Sequence, residues 1–291
     1  MKAPAFDYVK PRSLGEVFDL LQRHGDAAKL LAGGQTLLAT LAMRLSEPAL
    51  LIDIGALDAL KGIAVDAGVL RIGARTTHSE IEASALVARH APLLAQAVPH
   101  IAHRAIRNRG TLGGSLAHAD PASEWPACLL ALDGVVVVQG ASGERRIAAE
   151  DFFLDLYTTA LAEGELIVAC ELQPAETGDV FVFDELARRL GDYASVGLAL
   201  AARRDEHGAL HQVRLAFLGL GGTPLRARAA EALLEGRTPS AEVVDAALLA
   251  LAGELRPMPD LTHSAATKRH LAGVLARRAL QRCAGDTVSH G

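Results

Sequence analysis

The chain has 291 residues, which at roughly 150 per domain suggests about two domains, and 29 Lys plus Arg against 34 Asp plus Glu leave a net charge of −5. So mildly acidic a chain lacks the basic patch of a nucleic-acid binder, and with half its residues hydrophobic and 22% charged it can build a sizeable core. Cys128, Cys170 and Cys283 are too few and too scattered for a disulfide framework, a zinc cage or an iron–sulfur cluster.

The first residues lack the apolar stretch of a signal peptide, and no run approaches the roughly 20 apolar residues of a membrane span. The expectation is a cytoplasmic protein. Aromatic residues make up only 4%, so the core must be aliphatic.

Ser13 with Glu16 forms a capping-box signal, followed by apolar Val17, Leu20 and Leu21 and the stop residue Gly25. Residues 28–32 predict a short buried strand running into Gly33, Gly34, Gln35 and Thr36. A helix over about 37–45 and a strand over 49–54 complete a β–α–β unit with a glycine pair at its strand-to-helix turn. Residues 63–65 and 69–73 flank a hairpin turn at Asp66, Ala67 and Gly68. Thr77 with Glu80 opens a helix toward Arg89, and 92–104 predicts one continuous helix that leads into a second glycine-rich stretch.

Residues 126–132 follow as a helix, 134–138 and 145–147 as paired strands, and 166–172 as another strand. Residues 174–179 are the best linker. Beyond it the pattern predicts strands over 180–186, 195–202 and 213–219, then helices over 225–235, 238–255 and 264–283. This second unit is α+β with an antiparallel sheet.

Two stretches carry chemistry. In the first, Leu31, Ala32, Gly33, Gly34, Gln35 and Thr36, adjacent glycines leave no Cβ to hold a ligand away. Consecutive amides can then converge on an anion at a helix start. The second runs over 106–116 and includes Thr111, Gly113, Gly114 and Ser115. Its Arg107 and Arg109 could meet phosphate, water or the other unit. Two amide-rich turns suit a dinucleotide, while the G-x-G-x-x-G fingerprint and the P-loop are both absent. His100 and His103 have no acidic or thiol neighbour that would make them metal ligands, and no nucleophile–base arrangement can be placed by spacing.

These two stretches, followed by Arg188, Arg189, Leu190, Gly191, Asp192 and Tyr193, resemble the FAD-binding medium subunits of the molybdenum hydroxylases, the xanthine and carbon monoxide dehydrogenase family. The similarity extends over essentially the whole chain. It implies a two-lobed FAD domain of the PCMH (vanillyl-alcohol-oxidase-like) type over 1–176, with lobes of about 1–55 and 56–176. A C-terminal domain with a three-stranded antiparallel sheet and helices follows over 177–291.

By the same resemblance, the first stretch and residues 111–115 hold the diphosphate of a non-covalent FAD. Lys29 lies near it by position, and Ile101 and Ile167 match apolar contact positions. Glu124 stands where the family usually has Asp, and Tyr193 lies beside the isoalloxazine ring. The implied function is electron transfer from a [2Fe–2S] small subunit to an external small-molecule acceptor, with substrate oxidised at molybdopterin on a large subunit, in an (αβγ)2 assembly. A non-redox nucleotide-binding assembly module and a stand-alone FAD oxidoreductase are the alternatives. No catalytic or metal-binding residue is assigned to this chain.

Overall fold

The computed structural model describes residues 2–189 and 191–284, which leaves Leu190 of the third motif outside the described residues. The chain opens with a short strand that sequence patterning missed, β1 (Asp7–Val9), and helix α1 (Leu14–His24). The Ser13 hydroxyl caps α1 by accepting from the Glu16 amide; the Glu16 carboxylate reaches back to the amide of Arg12. Then come β2 (Ala28–Leu31), α2 (Leu37–Ala42) and β3 (Leu50–Asp53). β3 pairs in parallel with both β1 and β2, and the crossover through α2 places the first glycine turn at the carboxyl end of β2.

The next unit is an antiparallel sheet in the order β4-β5-β10-β6-β7, built from β4 (Ile63–Asp66), β5 (Val69–Gly73), β6 (Val135–Gly140), β7 (Gly143–Ala148) and β10 (Leu166–Leu172). Its central strands are buried on both faces, which is why 135–138 is an unbroken valine run. Val136 and Val138 point into one apolar cluster, while Val137 joins Val17, Ile52 and Leu60 in another beneath the first unit. A bulge after Ile167 shifts the register of β10 against β6.

Between β5 and β6 the helices are shorter than the pattern predicts. Thr77 and Glu80 form a complete capping box, yet the helix they open, α3 (His78–Glu82), stops and restarts at the Ser84 cap as α4 (Ala85–His90). The continuous helix expected over 92–104 is broken into α5 (Pro92–Ala97), a single 3-10 turn and α6 (Arg104–Arg107). Ile101 is extended and Ala102 left-handed (φ 44°), and the Arg107 guanidinium donates to the carbonyls of Ile101 and Ala102 at 3.1 and 2.9 Å. The second glycine stretch is the first turn of α7 (Leu112–His118), and α8 (Glu124–Ala131) is buried along its whole length. α9 (Ala149–Phe152), β8 (Phe153–Asp155) and β9 (Thr158–Thr159) precede β10.

The C-terminal unit holds the three antiparallel strands expected, β11 (Asp179–Ala187), β12 (Ala194–Arg204) and β13 (Leu210–Leu218), with a two-residue edge strand β14 (Leu225–Arg226) added. Helices α10 (Arg228–Leu234), α11 (Ala241–Glu254) and α12 (Ala265–Ala284) close it. β12 shows how the sheet serves as a middle layer. Val196, Leu198, Leu200 and Ala202 join the cluster under α10–α12, while the small residues Ala199 and Ala201 face the cluster shared with α5 and α8. Gln96 on α5 bridges the units: its Nε2 donates to the Phe181 carbonyl and its Oε1 accepts from the Phe183 amide.

Candidate cofactor site

Three segments far apart in sequence meet at one place. The backbone at Gly33 lies so close to the second stretch that a Cβ there would collide with the Arg109 carbonyl oxygen and stand 2.9 Å from Gly110 Cα. A Cβ on Gly114 would stand 3.9 Å from that of Ala32. The third segment arrives from the β11–β12 connection, where Gly191 packs on Ala102 and His103.

The space they enclose is a cleft of about 720 Å³, within the usual range for a small-molecule site. Lys29, Ala32, Gly33, Gly34, Gln35, Thr36, Ile101, Thr111, Gly113, Gly114, Ser115, Glu124, Ile167 and Tyr193 all line it. Leu31 is the exception. It lines an adjoining cavity of about 330 Å³ that shares Ala32, Gly33, Gly34 and Thr111 with the cleft.

The two glycine stretches contribute differently from the matched pair that the sequence suggests. Among the described residues nothing accepts from the amides of Gly33, Gly34, Gln35 and Thr36, so four successive donors remain available at the cleft. The Gln35 side chain is partly spent, its Nε2 donating to the Gly33 carbonyl at 2.9 Å. In the second stretch the amides of residues 112–115 are all used. Leu112 donates to the Thr76 carbonyl, Gly113 to that of Ala74, Gly114 to the Thr111 hydroxyl and Ser115 to the Thr111 carbonyl. The second turn therefore offers mainly clearance and hydroxyls, with Ser115 Oγ 2.7 Å from Ser123 Oγ, while the first turn keeps a run of amides free to meet an anion.

The two arginines left open by the sequence also separate. Arg107 is committed to Glu82 (3.1 Å) and to backbone carbonyls, whereas Arg109 lines the smaller cavity and makes no ion pair among the described residues.

Glu124, at the start of α8, is 8% exposed. Burial, then the nearby charge of Glu185 and more weakly that of Asp120, pushes its pKa up to about 8, so near neutrality it is mostly a neutral acid able to donate as well as accept. Tyr193 stands at the rim, 68% exposed, with burial of its hydroxyl and the charge of Asp120 raising its pKa. His118, whose ring lies 5.0 Å from that of Tyr157, and Asp120 line the cleft as well.

His78 was not singled out by sequence. It lines the cleft while accepting at Nδ1 from the indole of Trp125. The sequence signal for it is weak: a lone histidine after a helix cap, with its partner on another helix. Among the described residues no group of three or more His, Cys, Asp or Glu is placed to hold a metal ion, and no helix is long and apolar enough to cross a membrane.

A run of free amides at a helix-bearing turn, a glycine whose Cβ would close the cradle and a neutral acid at the far wall fit the polar parts of a flavin dinucleotide. Residues 4–173 match the FAD binding domain in molybdopterin dehydrogenase, and residues 181–283 the CO dehydrogenase flavoprotein C-terminal domain. The chain belongs to this molybdopterin dehydrogenase flavoprotein family. It is 39% identical to the alpha subunit of the 6-hydroxypseudooxynicotine dehydrogenase complex of Paenarthrobacter nicotinovorans, covering 96% of this chain and 95% of that one. It is 36% identical to the carbon monoxide dehydrogenase medium chain of Hydrogenophaga pseudoflava, covering 98% and 100%. Its fold superposes on a solved structure of carbon monoxide dehydrogenase from Hydrogenophaga pseudoflava with a TM-score of 0.95 at 37% identity, over 98% of this chain and 99% of that one. It is thus an FAD-containing oxidoreductase subunit, a flavoprotein of the molybdenum hydroxylase medium-chain type.

Proposed function

We propose that this chain is the electron-transfer subunit of a cytoplasmic heterotrimeric molybdenum hydroxylase and that its cleft holds FAD non-covalently. The observation that carries the reading is the convergence of three separated segments on one cleft, one of them with four free consecutive amides. When bound, FAD supplies the redox chemistry, storing two electrons that reach it one at a time.

The amides at 33–36 bind the diphosphate, and Thr111 and Ser115 add hydroxyls on the opposite wall. Glu124, largely protonated at neutral pH, hydrogen-bonds the polar groups of the cofactor. Ile101 and Ile167 exclude water from its apolar faces, and Tyr193 covers the isoalloxazine edge. The three buried thiols and the described residues provide no cluster or molybdenum ligands. The reading therefore assigns [2Fe–2S] to a small partner subunit and molybdopterin to a large one, in an (αβγ)2 assembly that passes electrons to a small-molecule acceptor. The FAD domain takes residues 1–176, in lobes of about 1–55 and 56–176, and the C-terminal domain 177–291.

Affinity purification of the full chain from its native cells tests this. The expected result is a yellow complex of three chains with about one FAD per copy, together with iron, acid-labile sulfide and molybdenum. A yellow chain that purifies alone and is reduced directly by a small organic donor would instead be a stand-alone oxidoreductase.

A further inference from the structure

We propose that His78 is a cofactor-binding residue: its Nε2–H donates a hydrogen bond to a phosphate oxygen of the FAD diphosphate, in a tautomer fixed by Trp125. The proposal rests on the FAD reading above and adds a ligand that none of the three motifs contains.

His78 is the first residue of α3 and only 5% exposed, yet it reaches the cleft wall. Trp125 Nε1 lies 3.0 Å from its Nδ1. An indole nitrogen only donates, so Nδ1 is the acceptor and the proton of the neutral ring sits on Nε2. Burial, reinforced by the charge of Arg107, holds the ring neutral by pushing its pKa down to about 4. Its backbone is also clamped, the His78 amide donating to the Gly110 carbonyl at 3.0 Å.

Among the described residues Nε2 has no hydrogen-bond partner, and it is not among the sealed orphan atoms of the described interior, which are Arg75 Nε, Glu185 Oε2 and Arg269 Nε. It lies instead against Gly110, where a Cβ would come within 2.8 Å of it. Gly110 is the residue on which Gly33 packs. The imidazole and the first residue of the free-amide turn thus pack on the same glycine, and both line the cleft. A rigid donor with its proton fixed in place and no acceptor among the described residues is left for one that a ligand brings.

A bland alternative gives His78 the sole task of accepting from Trp125, and two substitutions separate the roles. In His78→Asn the side-chain oxygen can replace Nδ1 as acceptor, but nothing occupies the place of Nε2. In His78→Gln the amide NH2 reaches the place of Nε2 and the Trp125 acceptor is lost. FAD is titrated into flavin-free full-length chain by flavin fluorescence, with apo melting temperatures measured alongside.

The expected result for His78→Asn is a near-wild-type melting temperature with a dissociation constant raised about tenfold, the scale of one hydrogen bond to a charged acceptor. His78→Gln should melt lower yet bind FAD more tightly than His78→Asn. In wild-type chain carrying 15N-labelled histidine, the His78 Nε2–H resonance should move downfield when FAD binds. Wild-type affinity in His78→Asn, or affinity losses in both variants that merely track their melting temperatures, would overturn the proposal. A wild-type chain that binds no FAD would overturn the cofactor reading itself.

Discussion

Gly33 and Gly110 are in backbone contact: a Cβ on Gly33 would stand 2.9 Å from Gly110 Cα and would collide with the carbonyl oxygen just before it. Two segments far apart in the chain thus close one wall of the cleft through a position that only glycine can fill. Gly33→Ala should force them apart at a cost of about 1–3 kcal/mol, read as a melting temperature several degrees lower, and should weaken FAD binding at least tenfold. Thermal melts and FAD titration check this; wild-type values in both would mean that the contact does not shape the site.

Glu124 sets a pH dependence. Its pKa rises from about 4.5 to about 8 on folding, mainly because it is buried and then because of Glu185. The folded chain therefore holds this proton more tightly than the unfolded chain does. The associated stability is fully present below about pH 4.5 and is lost as pH rises through about 8. Glu124→Gln mimics the protonated form, so the flavin-free variant should melt above the wild type by a margin that widens from pH 6 to pH 9. Parallel melting curves across that range would show that Glu124 is ionised in the fold.

Tyr193 stands exposed at the cleft rim, on the segment that Gly191 anchors to Ala102 and His103. Tyr193→Ala removes no core packing, so FAD stoichiometry and melting temperature should stay near wild type. The flavin reduction potential or reoxidation rate should change, because a flat neighbour that excludes water is gone. Spectroelectrochemistry and stopped-flow reoxidation measure this, and unchanged values would place the residue away from the ring.

Arg107 holds the turn that presents Ile101, through carbonyl bonds at 3.1 and 2.9 Å and an ion pair with Glu82. Arg107→Met keeps much of the side-chain length but leaves those carbonyls unsatisfied, at a cost of about 1–3 kcal/mol. The expected phenotype is a lower melting temperature and a several-fold weaker affinity for FAD. An unaffected melt would contradict the structural role assigned to this arginine.

What the sequence made legible was local. The Thr77 capping box, the hairpin at Asp66 to Gly68 and the glycine turn after β2 depend on neighbouring residues alone. What escaped was tertiary. The helix expected over 92–104 ends at Ala97, two residues before Pro99, and beyond it Arg107 holds Ala102 in a left-handed conformation that no local pattern announces. The glycines at 113 and 114 look like a second amide cradle until Ala74, Thr76 and Thr111 are seen to take the amides of that turn. β1 pairs with a partner more than forty residues away, so three residues of pattern could not announce it. His78 became visible only through Trp125, on another helix.

The crystal structure of the FAD-loaded full chain is the decisive measurement. The diphosphate oxygens should lie within about 3.2 Å of the amide nitrogens at 33–36, with the isoalloxazine edge toward Tyr193. A diphosphate bound elsewhere, with those four amides facing only water, would contradict the assignment of this cleft.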